Sequence, residues 1–198
     1  MSEYHLSGPV SESVIRNLRV GDVIYYSGVI VTGRDAVHNR VVNRGIPFPV
    51  DVHDGALYHA GPIVKEMNDG YEIVAAGPTT SMRMESCERE FIDKTGVRII
   101  IGKGGMGEKT VTACRDFGAV HAVFPGGCAV LAAECVTKVK SVEWADLGMP
   151  EAVWILQVRE FGPLIVSIDC RGGNLFERNR SETEAKRHSV LEKFIKKV

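Results

Sequence analysis

Val97-Arg98-Ile99-Ile100-Ile101-Gly102-Lys103-Gly104-Gly105-Met106-Gly107 passes from a β-branched run into a glycine-rich turn, and Glu108 to Phe117 then carries apolar residues at helical spacing. Val97–Ile101 reads as a strand, and Glu108–Phe117 as a helix turning Val111, Cys114 and Phe117 inward. Ala119–Phe124 is the next strand, and Pro125-Gly126-Gly127 leads into a small-residue helix, Cys128 to about Glu134. Strand, turn, helix, strand implies a parallel or mixed sheet flanked by helices.

The same unit occurs just before it. Tyr71–Ala76 reads as a strand, Gly77-Pro78-Thr79-Thr80-Ser81-Met82-Arg83 as the turn, and Met84–Lys94 as a helix with Met84, Cys87, Phe91 and Ile92 on one face. Toward the N-terminus, Ser11 caps a short helix to Leu18, and Val23–Tyr26 and Val29–Thr32 are strands hinged near Gly28. Asp35–Asn43 is helical, the two prolines of Ile46–Val50 enforce extended chain, and Ala56–Ala60 is a short strand. Val153–Val158 and Leu164–Ile168 are further strands. Strand-rich flanks around an alternating centre predict an α/β protein of three-layer β/β/α arrangement. The 198 residues fit one domain, 1–198. Its charged tail, 176–198, places Val190, Leu191, Phe194 and Ile195 at helical spacing, as in an amphipathic helix packed on the domain or on a partner.

Composition narrows the function. With 24 basic and 25 acidic residues the formal charge is −1, so there is no electrostatic case for nucleic acid or a membrane surface. Apolar runs fall short of the roughly 18 residues of a membrane span. The start, MSEYHLSGPV, has neither a basic nor an apolar segment, so a cytoplasmic protein is expected. Cys87, Cys114, Cys128, Cys135 and Cys170 form no C-x-x-C pair, which argues against a disulfide framework, a zinc ribbon or a self-contained iron–sulfur site. Three of the five sit in apolar or helical surroundings as buried thiols.

Both glycine-containing turns place unpaired backbone N–H groups at a helix start, a natural seat for anions. One carries Arg83 and the other Lys103, so together they predict a pocket for a small, doubly charged acid. An arginine in the first helical turn opposes the helix dipole unless an anion sits beside it. Thr79, Thr80 and Ser81 supply hydroxyls there, Ser81 as the cap. Lys103, between glycines at a strand end, points to a carboxylate partner or to solvent. Arg34 stands at another helix entrance, with His38 four residues on as the acid/base candidate, or else a surface histidine. Gly102 to Gly107 also matches G-x-G-x-x-G, yet no acidic residue follows the next strand and Glu108 stands where phosphates would sit, which disfavours a nucleotide. Asp51, His53, Asp54 and His59 have no closed-site metal spacing, and no metal ligand is expected in this chain.

Gly33-Arg34-Asp35 with His38, His59-Ala60-Gly61-Pro62, Gly77 through Glu85 and Gly102 through Gly107 together resemble one family. It is the β-subunit, or C-terminal domain, of iron–sulfur-dependent hydro-lyases: class I fumarate hydratase and L(+)-tartrate dehydratase. Phe124-Pro125-Gly126-Gly127-Cys128-Ala129, Leu147-Gly148-Met149-Pro150-Glu151 and Phe161-Gly162-Pro163-Leu164 are similar to the same family, so the match runs from Val20 to Leu175. The resemblance implies a swivelling β/β/α fold. It also implies a [4Fe–4S] cluster held by a separate α-subunit, whose open iron acts as Lewis acid, in a hetero-oligomer such as a dimer of αβ pairs. Carried over, Arg34, Arg83 and Lys103 bind the dicarboxylate. Thr79 lies at the reacting carbon for proton transfer, His38 matches an active-site histidine, and Lys103 also counts among the catalytic groups. Gly33-Arg34-Asp35-Ala36 leans toward fumarase, the first reading, and Ser81 to Ser86 fits tartrate dehydratase, its alternative. Two other classes stand beside these: a nucleotide-binding module and a non-catalytic assembly subunit.

Overall fold

The computed structural model describes residues 1–195, apart from the side chains of residues 188–190 and 192–195. It is a mixed α/β structure built on one large sheet. The strands are β1 (Glu3–Ser7), β2 (Val23–Thr32), β3 (Ala56–Tyr58), β4 (Ile63–Met67), β5 (Gly70–Ala75), β6 (Ile99–Gly102), β7 (Val120–Val123), β8 (Val136–Glu143) and β9 (Val153–Ile168). The α-helices are α1 (Glu12–Ile15), α2 (Asp35–His38), α3 (Glu85–Thr95), α4 (Glu108–Phe117), α5 (Ala129–Glu134) and α6 (Leu175–Ile195).

Seven strands follow the order β1-β2-β3-β6-β7-β9-β8. Neighbours from β1 to β7 run parallel, and β9 is antiparallel to β7, β8 and β2. Because β9 pairs with both β2 and β7, strands β2, β3, β6, β7 and β9 close into a ring. Ile165 faces Val23 across one edge and Val123 across the other. Each face of the sheet has its own apolar core. Ile99 and Ile101 join Tyr58, Phe124 and Phe161 on one side, while Ile100 and Leu57 join Met84, Phe91, Ile92, Val111 and Cys114 on the other. Strands covered on both faces need apolar residues throughout, which is why Ile99-Ile100-Ile101 shows no alternation.

The centre of the chain matches expectation: α4 has the expected limits, and β6, β7, α3 and α5 lie within two residues of theirs. Elsewhere the structure corrects it. Tyr71–Ala76 is not part of the main sheet but half of the β4–β5 antiparallel hairpin, which stands by itself. The two strands expected on either side of Gly28 are one strand that bends, with register shifts beside Gly28 at φ +147°. Val153–Val158 and Leu164–Ile168 are likewise one 16-residue strand. Strands β1, β4 and β8 were not expected. Ser11 is the N-cap residue of α1, but its hydroxyl makes no cap hydrogen bond. The helix expected over Asp35–Asn43 is one α-turn continued by a π-helix, Asn39–Asn43.

The tail is helical as far as Ile195, with Leu191 exposed. Its expected apolar partners Val190, Phe194 and Ile195 lie outside the described side chains. Among the described residues no helix is long and apolar enough to cross a membrane.

Candidate functional site

Arg34 lies two residues beyond β2, His59 one beyond β3 and Lys103 one beyond β6, so all three emerge from the carboxyl ends of adjacent parallel strands. Sheets of parallel strands, open or closed into a ring, gather ligands at the carboxyl ends of those strands. The segment Thr79–Ser81 is laid along this edge by its backbone. Thr79 N–H donates to His59 O (2.6 Å), Lys103 N–H to Thr79 O (3.1 Å) and Ser81 N–H to Lys103 O (3.0 Å). Thr79 and Lys103 are therefore neighbours, although 24 residues separate them in sequence (103 less 79). The N–H groups of Thr79 and Ser81 are engaged by carbonyls, so this turn offers hydroxyls and side-chain charge to an anion rather than those two N–H groups.

Two of the three cations are matched by carboxylates of the same chain. Arg34 pairs with Glu151 at 3.1 Å, and the second oxygen of Glu151 accepts the Ala36 N–H at the start of α2. Arg83 pairs with Asp35 through two nitrogens, at 3.0 and 2.7 Å. Asp35 is thus the anion that makes an arginine tolerable in that first helical turn. It also ties the Arg34 loop to the Thr79 loop. Lys103 is exposed and forms no ion pair among the described residues.

The glycine-rich turn after β6 is not a free anion seat. The Glu85 carboxylate occupies it, accepting Gly107 N–H (2.8 Å), Lys109 N–H (3.0 Å) and the Thr110 hydroxyl (2.6 Å). A Cβ on Gly107 would lie 2.7 Å from Glu85 Oε1, so the glycine admits the carboxylate. An intramolecular anion at the start of α4 also excludes the nucleotide phosphate that G-x-G-x-x-G suggests. Hydrogen bonds to a charged group are worth about 1.5–3 kcal/mol each and are not additive. Glu85→Ala is therefore expected to cost about 3 kcal/mol of unfolding free energy, read by urea titration; a loss below about 1 kcal/mol would mean water replaces the carboxylate without penalty.

Behind this edge lies a buried polar chain. His38, at the end of α2, is 1% exposed, so it is not a surface histidine. Its Nδ1–H donates to Arg34 O (2.8 Å) and its ring packs on Phe91. Its Nε2 faces Glu88 Oε2 at 3.3 Å, and His59 Nε2 faces the same oxygen at 3.2 Å. His59 Nδ1 meets Ser81 Oγ (3.0 Å), Ser81 Oγ meets His121 Nε2 (3.0 Å), and His121 Nδ1 meets Ser167 Oγ (2.6 Å). Ser81, expected to cap a helix, points its hydroxyl into this chain instead, and the N-cap residue is Thr80.

Burial pushes His121 down to about 3, so its ring is neutral. Burial likewise lowers His59, and the nearby Glu88 only partly offsets it. At His38 burial acts in the same direction, but Glu88 and the Arg34 carbonyl outweigh it and hold the group above its ordinary value. Glu88, which burial alone would raise, is held below the carboxylate range by the two imidazoles. Sequence reading missed Glu88, although it interrupts the apolar stripe Met84–Phe91–Ile92 at helical spacing, which is the signal a buried carboxylate leaves.

Cys114 and Cys170 are buried and Cys87, Cys128 and Cys135 half-buried, all as free thiols. Among the described residues the one group of three metal-ligand side chains that converge is His38, His59 and Glu88. No set of cysteines does so, and the donors of this chain do not fit an iron–sulfur cluster.

Fold and site thus define a mixed α/β protein with a cationic, hydroxyl-bearing edge at the carboxyl ends of its parallel strands. The chain belongs to the family described as Fumarase C-terminus, which it matches over residues 2–179. It is 49% identical over 193 residues to the L(+)-tartrate dehydratase subunit beta of Escherichia coli (strain K12), covering 98% of this chain and 96% of that one. A putative L(+)-tartrate dehydratase subunit beta of Methanocaldococcus jannaschii is 42% identical, over 89% of this chain and 93% of that one. A putative fumarate hydratase class I of Geobacillus stearothermophilus is 41% identical over 87% of this chain but only 33% of its own length.

Proposed function

We propose that this chain is the β-subunit of an iron–sulfur-dependent hydro-lyase acting on a four-carbon dicarboxylate, with the cluster, of [4Fe–4S] type, carried by an α-subunit. The observation that carries the reading is the convergence of Arg34, Thr79, Arg83 and Lys103 on one strand-end edge, in a chain of the Fumarase C-terminus family. The complex is read as a hetero-oligomer such as a dimer of αβ pairs, in the cytoplasm. The two apolar cores on opposite faces of the sheet support a swivelling β/β/α arrangement of a single domain, 1–198.

Removing or adding water across a C–C bond α to a carboxylate requires transfer of a weakly acidic C–H proton. Negative charge then builds on that carboxylate, and fixed cations aimed at it lower the barrier. Lys103 and the outer faces of Arg34 and Arg83 bind the two carboxylates. The Thr79 hydroxyl, half-buried beside Lys103, moves the proton. His38 is buried behind Arg34 and touches its carbonyl, so its part in catalysis is to hold the Arg34 loop in place rather than to meet substrate.

Fumarate and malate are the first substrate pair. Tartrate is the second reading, favoured because the relatives aligned over 96% and 93% of their length are both named for tartrate dehydratase. The test is an anaerobic assay of this chain alone, of the α-subunit alone and of their mixture, on malate and on tartrate. Activity in the mixture only is expected. A formed complex with an intact cluster and no turnover of either acid would overturn the reading.

A further inference from the structure

The protons of the buried chain can be counted one by one. Ser167 Oγ lies 3.2 Å from the His121 carbonyl oxygen, a contact it can make only as donor. It therefore accepts from His121 Nδ1–H, which leaves the Nε2 lone pair of the neutral His121 ring to accept the Ser81 hydroxyl proton. Ser81 Oγ in turn accepts from His59 Nδ1–H. His38 Nδ1–H is committed to the Arg34 carbonyl. The relay can run the other way only by leaving Ser167 Oγ and the His121 carbonyl in contact with no proton between them.

With both rings neutral, Nε2 of His38 and Nε2 of His59 turn lone pairs toward Glu88, and protonation of His38, which Glu88 favours, relieves one of the two. They lie 3.3 and 3.2 Å from its Oε2, yet neither reaches hydrogen-bond geometry, and both carboxylate oxygens are also without a hydrogen-bond partner. One added proton on His38 still leaves His59 Nε2 set against a carboxylate in a fully buried site. Lone pairs facing each other without a shared cation are costly in a dry interior.

We infer that His38, His59 and Glu88 form a structural site for one divalent transition-metal ion of the zinc type. The ligand atoms all lie within 4.8 Å of one another. Zinc–nitrogen and zinc–oxygen bonds of about 2.0–2.2 Å in tetrahedral array set neighbouring donors about 3.3 Å apart. The two edges from Oε2 to the histidine nitrogens, 3.2 and 3.3 Å, match that spacing, and the edge between the two nitrogens, within 4.8 Å, closes as the ion binds. Oε2 of Glu88 and the two Nε2 atoms make three of the four vertices, and Oε1, equally without a hydrogen-bond partner, approaches the ion only as the second atom of a bidentate carboxylate. The remaining ring nitrogens already hold the partners that fix a metal-bound imidazole: the Arg34 carbonyl on one side and the Ser81 hydroxyl on the other. The ion would cross-link α2, the end of β3 and α3 beneath the strand-end edge. The three residues are 0–1% exposed, so the ion enters as the chain folds and does not exchange from the native state. Nothing in this site depends on the hydro-lyase reading, and its test uses no activity.

The full-length chain is purified, dialysed natively against a chelator and assayed for metal. It is then unfolded with chelator and refolded with Zn2+ or Co2+. About one equivalent per chain is expected to survive native dialysis, to leave on unfolding and to return on refolding. The Co2+ form should show the strong visible bands of a low-coordinate site. Glu88→Gln and, separately, His59→Gln should each retain roughly a tenth of an equivalent or less, with folding checked by circular dichroism. The inference is overturned if wild-type chain holds no stoichiometric metal either as isolated or after refolding, or if nitrogen NMR of the imidazoles finds a proton on Nε2 of both histidines. Full metal content in folded variants would also overturn it, by placing the ion elsewhere.

Discussion

Replacing Lys103 by alanine is expected to lower kcat/KM of the reconstituted αβ enzyme by about 100-fold, the loss typical of one preorganised charge donor to a developing anion. The fold should be untouched, because Lys103 is exposed and makes no ion pair among the described residues. That lack of a partner sets it apart. Arg34 and Arg83 each already hold a carboxylate, Glu151 and Asp35, and a substrate competes with those anions for them. Lys103 can give its whole charge to the incoming acid. Arg83→Ala should cost at least about tenfold, part of it because Asp35 is then left uncompensated beside a doubly negative ligand. Steady-state kinetics on malate and tartrate, with the melting temperature of the variant chain as the folding control, decides the matter. A Lys103→Ala enzyme of near-normal activity would remove this edge from substrate binding and favour the assembly-subunit reading.

Two effects explain what sequence reading reached and what it missed. Strands 97–101 and 119–124 and helix 108–117 were readable because local pattern and tertiary burial agree there. The merging of Val153–Val158 with Leu164–Ile168 was not, because Glu160 and Gly162-Pro163 look like a break. Pairing of β9 with β2 on one side and with β7 and β8 on the other carries the strand through. The hairpin β4–β5 was missed for a related reason: it is largely exposed and holds few buried residues. Arg34, Arg83 and Lys103 were singled out by their places at helix entrances and a strand end, and Thr79 by the resemblance, and the strand-end topology brings their loops together. The carboxylates that answer them were not found. Asp35 answers Arg83 and Glu151 answers Arg34, while Glu85 fills the turn before α4 and Glu88 faces the two histidines; these contacts span 22 to 117 residues of sequence, and no local spacing encodes such a partner.

Gly102→Ala should be the most damaging single methyl group in the protein. Gly102 has no positive φ, so glycine is not needed there for backbone freedom. The constraint is steric. A Cβ at this position would fall 1.8 Å from Ser81 Oγ and 3.2 Å from His59 Nδ1. Ser81 has nowhere to retreat, because its hydroxyl joins His59 to His121 and its N–H is fixed to Lys103 O. Overpacking a tight core costs about 1–3 kcal/mol and sometimes more, and here we expect the upper end, about 3 kcal/mol. The next residue is Lys103, and a shift of about 1 Å in a positioning group can cost 100-fold in rate, so kcat/KM should fall even where the variant stays folded. A double variant separates this clash from any other fault. Ser81→Gly removes the obstructing hydroxyl, so Gly102→Ala in that background should cost less than half of what it costs in the wild type. Equal costs in both backgrounds would show that the added methyl meets something other than Ser81, and the buried relay would lose its claim to be what requires glycine at the end of β6.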